Sequence, residues 1–125
     1  MSQTYTFQLN SFVFINYKHK TMLSTIKNLM GLDSTDYSEL VNNGAIILDV
    51  RSKEEYSSGH IKGSINLAVD QLKSNLYKLN DKNNTIITCC ASGMRSASAK
   101  NILIANGYKS VFNGGGWQRL NQKLG

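Results

Sequence analysis

The segment from residue 85 to residue 106 restricts the fold more than any other part of the sequence. Residues 85–88 are an apolar, β-branched run, which predicts a buried strand. Residues 96–106 are rich in alanine and end before a glycine, which predicts a helix. Cys90 therefore lies where a strand ends and a short loop leads into a helix N-terminus. Backbone N–H groups without a helical partner and the positive end of the helix dipole converge at such a point, so we expect the Cys90 sulfur to be an anion.

The loop after Cys90 contains enough donors to stabilise a thiolate. A free cysteine has a pKa of about 8.5, so ionisation at neutral pH requires about 2.7 kcal/mol of added stabilisation. A helix N-terminus contributes about 1 kcal/mol, and each contact to a loop N–H or to the Arg95 charge adds about 1.5–3 kcal/mol before desolvation. Gly93 permits a backbone conformation that a side chain would obstruct, and Ser96 suits the helix N-cap. The alternative is that Cys90 is a small buried apolar residue.

Composition excludes several classes of protein. The 125 residues are enough for one domain, and the 41% of apolar residues favours globular folding. The formal charge of +6 is spread along the chain, which argues against nucleic acid and suits small anionic substrates. The apolar run at residues 12–15 is too short to span a bilayer, and its basic neighbours follow it, so we expect neither a membrane segment nor a secretory signal. Two adjacent cysteines cannot form a disulfide framework, which favours free thiols in the reducing cytoplasm.

From residue 33 onward, helices and strands alternate. Residues 45–50 are a nearly continuous apolar run, typical of a strand buried on both faces of a parallel sheet. The sequence therefore predicts an α/β domain over residues 33–125, with a mainly parallel central sheet and helices on both faces. Residues 1–32 are predicted to be an N-terminal extension, either partly disordered or containing an edge strand. The other predicted elements are a helix capped by a box of Asp36 and Glu39, a helical turn at residues 53–56, a strand at 64–67, a helix at 70–79, a strand at 110–112, a glycine turn at 114–116 and a helix at 117–124.

Several short motifs follow one another between residues 48 and 117. They are Leu48-Asp49-Val50-Arg51, Glu55-Tyr56, Gly59-His60-Ile61-Lys62-Gly63-Ser64-Ile65-Asn66, the loop from Cys90 to Ser96, Gly107-Tyr108, and Gly114-Gly115 with Trp117. In this order and spacing the chain resembles the single-domain rhodaneses, which are sulfurtransferases, over about residues 33 to 125. Each motif alone is common, but their agreement makes the resemblance specific.

The resemblance implies the chemistry of the Cys90 site. In rhodaneses the first residue of the loop is a nucleophilic cysteine. It takes a sulfane sulfur from a donor such as thiosulfate, becomes a persulfide, and passes the sulfur to a thiol or to cyanide. The residues that would bind the donor are Ala91, Ser92, Gly93, Met94, Arg95 and Ser96. Many members have a basic residue where this chain has Ala91, which leaves one cation fewer at the mouth of the site.

The same resemblance implies a thiosulfate sulfurtransferase-like enzyme that works as a monomer. Its partners would be a small anionic sulfur donor and a thiol acceptor, either a small thiol or a thioredoxin-like protein. No cofactor is implied. No cluster of histidine, cysteine or carboxylate residues has metal-ligand spacing either, so no metal site is expected.

Two other functions remain open. A persulfide relay would use the same loop to deliver sulfur to one protein partner with little activity on small donors, and the sequence does not separate it from an enzyme. Rhodanese-like folds also carry phosphatase and arsenate reductase sites. Their wider cradle needs one residue more between cysteine and arginine than the four that separate Cys90 from Arg95 here. The shorter loop forms a tighter ring of N–H groups, which favours a single sulfur atom.

Two charged residues at the end of the first core strand are predicted to support the site. Asp49 lies at the carboxyl end of the strand, where open α/β sheets place their sites. We expect it to orient Arg95 or to brace the loop rather than to act as an acid. Arg51 either steers anions or forms an ordinary surface ion pair.

Four other residues have structural interpretations. Cys89 should point to the opposite side of the strand and lie in the core, with a resolving thiol as the alternative. His60 is predicted to tie a loop to the sheet, because a thiolate that is already ionised needs no base. Tyr56 is predicted to be a core residue, and Trp117 either covers the core or lines the pocket entrance.

Overall fold

The computed structural model of the protein describes residues 34–125, so the predicted extension at residues 1–32 lies outside the described residues. The strands are β1 (Ile46–Asp49), β2 (Ile65–Asn66), β3 (Ile86–Cys90) and β4 (Val111–Gly116). The helices are α1 (Tyr37–Asn42), α2 (Lys53–Ser57), α3 (Val69–Leu72), α4 (Met94–Ala105) and α5 (Trp117–Leu124), with a 3₁₀ segment at Lys73–Leu79 between α3 and β3. Within residues 34–125, none of the helices is long and apolar enough to cross a membrane.

The four strands form one parallel sheet in the order β2-β1-β3-β4. β1 and β3 occupy the two inner positions, and all five residues of β3 are buried, as its apolar sequence predicts. Asp49, the last residue of β1, is opposite Cys89 in β3. The carboxyl ends of the two inner strands therefore meet at one edge of the sheet, where Asp49 and Cys90 lie. The predicted α/β fold with a parallel central sheet is confirmed.

Helices cover both faces of the sheet and form two hydrophobic cores. On the first face α3, the 3₁₀ segment and α4 contribute the buried side chains Leu72, Leu79 and Leu103. On the second face α1 and α5 contribute Tyr37 and Leu120. Each of these four α-helices, α1, α3, α4 and α5, thus buries one apolar side against the sheet and leaves its other side to solvent, whereas α2 has no buried residue.

The two cysteines lie on opposite faces of β3, because successive residues of a strand point in opposite directions. Cys90 belongs to the first core and Cys89 to the second, so the predicted placement of Cys89 is confirmed. Burial, followed by the charge of Asp49, raises the pKa of the Cys89 thiol to about 12. A thiol with such a pKa holds its proton at neutral pH, which separates Cys89 from nucleophilic chemistry.

The helix predicted over residues 70–79 is present, but it is not one continuous α-helix. The α-helix ends at Leu72, and the chain continues as a 3₁₀ segment with a kink at Asn75. The side-chain amide of Asn75 donates to the carbonyl oxygen of Gln71 at 2.8 Å, which is the acceptor that the Asn75 backbone N–H would use in an α-helix. The Asn75 side chain therefore competes with the Asn75 backbone N–H for the Gln71 carbonyl oxygen at the point where the helix type changes.

The glycine turn predicted at residues 114–116 is also wrong, because these residues are the end of β4. A side chain at Gly114 would place its Cβ 2.8 Å from the Leu120 side chain and 2.9 Å from that of Ile87. The glycine therefore allows α5 to pack closely on the sheet rather than allowing the chain to turn.

Candidate active site

Cys90 is the last residue of β3 and is only 1% exposed. Its Sγ accepts a hydrogen bond from the backbone N–H of Gly93 at 2.9 Å and from that of Ser96 at 3.4 Å. The Ser96 hydroxyl oxygen lies 3.5 Å from the same sulfur. The loop and the first turn of α4 therefore surround the sulfur with donors, as the strand–loop–helix pattern predicts.

These contacts favour the thiolate. Burial by itself raises the pKa of Cys90, but hydrogen bonds from the side chain and backbone of Ser96, and from the backbone N–H groups of Gly93 and Ser92, outweigh it. The net effect is a lowered pKa, which agrees in direction with the expectation from the sequence. Backbone donors of this kind increase the fraction of Cys90 that is present as the thiolate, which is the nucleophilic form of cysteine.

α4 begins two residues earlier than the sequence predicts, which changes the role of Ser96. The N-cap is Gly93, with φ of +104°, a conformation that a side chain would strain. Ser96 is therefore not the cap but a fully buried residue of the first helical turn. Its Oγ lies 3.0 Å from the Gly93 carbonyl oxygen and 2.6 Å from Oδ1 of Asn113 in β4. Sequence analysis missed Asn113, because only the sheet order brings β4 next to the loop.

The remaining loop residues form the outer surface of the site. Ala91, Ser92 and Met94 are exposed, with 81% of Met94 accessible to solvent. The backbone N–H of Ser92 contributes to the lowered pKa of Cys90.

Arg95 forms a bidentate ion pair with Glu55 of α2, at 2.7 and 2.9 Å, and both side chains are more than a third exposed. Of the two roles predicted for Asp49, orienting Arg95 is therefore wrong, and bracing the loop stays a prediction. Glu55 is held in place by a capping box, since its carboxylate accepts from the Ser52 N–H and the Ser52 hydroxyl accepts from the Glu55 N–H. The Ser-x-x-Glu pattern is a sequence signal for this cap, although it does not identify Arg95 as the partner.

The carboxylate of Asp49 pairs instead with Arg51, two residues along the chain. The Nη2–Oδ2 distance is 2.7 Å, and the two side chains are 5% and 0% exposed. Arg51 also donates to the carbonyl oxygens of Glu55 and Gly59, at 3.3 and 2.7 Å. Its guanidinium lies 4.6 Å from the centre of the Trp117 ring. Arg51 is thus neither a free anion-steering group nor a surface ion pair, because its donors are used in a buried network that joins β1 to α2 and α5.

His60, Tyr56 and Trp117 hold the segment that follows α2. Nδ1 of His60 lies 2.8 Å from the Tyr56 carbonyl oxygen, and the two rings stack 3.8 Å apart. His60 therefore contacts α2 rather than the sheet. Tyr56 is half-buried and donates to the Ser64 carbonyl oxygen at 2.7 Å, so its predicted core position is wrong. Trp117 is half-buried against the second core and covers Arg51.

Residues 34–125 contain no group of three or more potential metal ligands.

The Arg95–Glu55 pair predicts a specific loss of stability in acid. The hydrogen bond from Arg95, followed by that from the Ser52 backbone, lowers the pKa of Glu55 from its usual 4.5 to about 2. A carboxyl whose pKa is lower in the folded state stabilises the fold above pH 4.5, and this stabilisation is lost as the pH falls towards 2. Thermal melts across this window should therefore show a larger drop for the wild type than for Glu55→Gln. Parallel curves would mean that the pair contributes nothing to stability.

Comparison with known proteins agrees with this geometry. The rhodanese-like domain family matches residues 33–123 of the chain. Thiosulfate sulfurtransferase PspE of Escherichia coli K12 is 39% identical over 70 residues, which are 55% of this chain and 67% of that protein. Thiosulfate sulfurtransferase GlpE of Haemophilus influenzae Rd is 34% identical over 85 residues, which are 65% of this chain and 80% of that protein.

Solved structures agree as well. A structure described as a rhodanese with anions from E. coli superimposes with a TM-score of 0.57 and 36% identity, covering 60% of this chain and 89% of the other. The family model, the relatives and the solved structure all place the chain in the same class of protein. The chain belongs to the rhodanese-like domain family and is a rhodanese-type enzyme.

Proposed function

We propose that the protein transfers a sulfane sulfur from thiosulfate to a thiol through a persulfide on Cys90. The observation that carries this proposal is the cradle of N–H donors, from Gly93 at 2.9 Å and Ser96 at 3.4 Å, around a buried sulfur with a lowered pKa. The printed names of PspE and GlpE, both thiosulfate sulfurtransferases, support the choice of donor.

The first half of the reaction loads the enzyme. The Cys90 thiolate attacks the outer sulfur of thiosulfate, a new S–S bond forms, and the bond to the sulfonate sulfur breaks. Its electron pair leaves with sulfite, and the outer sulfur of the Cys90 persulfide carries the negative charge. Backbone donors that already stabilise the thiolate are suited to hold this charge and the sulfonate oxygens of the incoming donor.

The second half unloads the enzyme. An acceptor thiolate attacks the outer sulfur, the S–S bond to Cys90 breaks, and the Cys90 thiolate is regenerated while the acceptor becomes a persulfide. We propose a small thiol or a thioredoxin-like protein as the acceptor, because the rim formed by Ala91, Ser92 and Met94 is exposed and uncharged. Both cysteines are free, which suits a monomer in the reducing cytoplasm. The residues of the loop bind the donor, and Asp49 and Arg51 support it by fixing the adjoining strand end.

Steady-state kinetics with thiosulfate as donor and cyanide as acceptor tests this proposal. Because the persulfide forms before the acceptor reacts, double-reciprocal plots at several acceptor concentrations should be parallel, the pattern of a ping-pong mechanism. Hydrolysis of a small aryl phosphate by the same preparation should stay at background. Intersecting lines, or phosphatase turnover above that of Cys90→Ser, would contradict sulfur transfer through Cys90.

A further inference from the structure

The Ser96 hydroxyl has one proton and three neighbours that compete for it. Its Oγ lies 2.6 Å from Asn113 Oδ1, 3.0 Å from the Gly93 carbonyl oxygen and 3.5 Å from the Cys90 sulfur. The shortest distance is to Asn113, so the proton points away from the sulfur when Cys90 is a neutral thiol. In that arrangement the thiol donates to Ser96, and Ser96 donates to Asn113.

The side chain of Asn113 is held so that its carbonyl faces Ser96. The backbone N–H of Gly115 donates to Oδ1 at 3.0 Å, and Nδ2 of Asn113 lies 3.4 Å from the Gly93 carbonyl oxygen. Reversing the amide would put an NH₂ group against the Gly115 N–H, so the orientation is determined by its partners. The main chain at this residue is also anchored, because Tyr37 donates to the Asn113 carbonyl oxygen at 3.1 Å.

We propose that Asn113 is a positioning residue that sets the direction of the Ser96 hydroxyl and thereby opposes ionisation of Cys90. When the thiol loses its proton, the hydroxyl rotates towards the sulfur and donates to it, and Asn113 Oδ1 keeps only the Gly115 N–H. In the Cys90 persulfide the charge lies mainly on the outer sulfur, so the hydroxyl returns to Asn113. Asn113 therefore favours the thiol and the persulfide over the free thiolate, while Ser96 favours the thiolate.

The other titratable groups near the sulfur come from β1, β3, α2 and α4. Arg95 on α4 is paired with Glu55 on α2, and Cys89 on β3 lies beside the Asp49–Arg51 pair at the end of β1. None of these groups is bonded to the Asn113 side chain in the described structure. An effect of substituting Asn113 that depends on Ser96 therefore comes through the hydroxyl.

The test is a double-mutant cycle read by the ultraviolet absorbance of the thiolate. Asn113→Leu removes the acceptor with a side chain of similar size, so it should raise the thiolate fraction well below the titration midpoint about two- to tenfold. Ser96→Ala should lower that fraction, and adding Asn113→Leu to Ser96→Ala should change it little. A lower thiolate fraction in Asn113→Leu, or an equal rise in the Ser96→Ala background, would overturn the proposal.

A measurement on the unaltered chain covers the case in which Asn113→Leu does not fold. The ¹³C resonance of the Asn113 carboxamide should titrate with the same midpoint as the Cys90 absorbance, and most of this step should vanish in Ser96→Ala. The proposal would be overturned if the ¹³C chemical shift did not change when Cys90 ionises, or if the whole change remained in Ser96→Ala. The inference rests on the proposed function, since it refines the role of Cys90. Both measurements report the ionisation of Cys90 whether or not sulfur is transferred, so the role of Asn113 and the sulfur transfer can each be contradicted separately.

Discussion

Replacing Cys90 with serine should reduce sulfur transfer by more than about a thousandfold, because a serine hydroxyl keeps its proton at neutral pH and cannot exchange S–S bonds. The side chain is small and buried in the first core, where serine retains the shape of the site. The rate of thiocyanate formation from thiosulfate and cyanide measures the loss directly. Circular dichroism of the variant should match that of the wild type.

Cys89→Ala is the matched control for this experiment. The residue adjoins Cys90 but points into the other core, with its pKa raised to about 12. The variant should keep most of the activity and lose about 1 kcal/mol of stability, because a small buried side chain is shortened. If Cys89→Ala were inactive and Cys90→Ser active, the reactive cysteine would be Cys89, on the opposite face of β3, and the assignment to Cys90 would be contradicted.

Removing the buried guanidinium should give the largest loss of stability. Arg51→Met leaves the Asp49 carboxylate, which is fully buried, without its ionic partner. Breaking a buried ion pair in this way costs about 3–5 kcal/mol. Urea denaturation followed by circular dichroism measures the free energy of unfolding. A variant that is already unfolded without urea would also agree with the prediction, because it would have lost its stability completely.

Two controls separate the ion pair from the loss of a long side chain. Arg119→Met, at an exposed position of α5, should change stability by less than about 0.5 kcal/mol. Asp49→Asn combined with Arg51→Met should recover part of the loss, since no buried charge then remains unpaired. If Arg51→Met unfolds at the same urea concentration as Arg119→Met, the network around Arg51 has no role in stability.

Local sequence patterns are sufficient to predict much of the fold and the surroundings of Cys90 in the candidate site. The apolar runs of β1 and β3 predict buried parallel strands because such strands carry no polar face. Cys90 and its loop follow from the strand–glycine–helix pattern alone, since backbone donors at a helix N-terminus need no particular side chains. The opposite orientations of Cys89 and Cys90 follow from strand geometry.

Contacts between distant segments account for what the sequence does not reveal. Glu55 and Arg95 are 40 residues apart, and nothing local marks them as partners. Asn113 reaches Ser96 only because β4 pairs with β3. Gly114 begins a run of three glycines that is typical of a turn. In the structure it lies within a strand, where the close packing of α5 on the sheet requires glycine. Such pairings depend on the order of the strands, which composition and periodicity leave open.

The persulfide itself can be observed by mass spectrometry of the protein after incubation with thiosulfate. The sulfur-transfer mechanism predicts that one sulfur atom is added per chain, on the peptide that contains Cys90. Cyanide should then remove it with release of one equivalent of thiocyanate, and Cys90→Ser should gain no sulfur. Turnover of thiosulfate by a protein that never carries the added sulfur on Cys90 would contradict the mechanism.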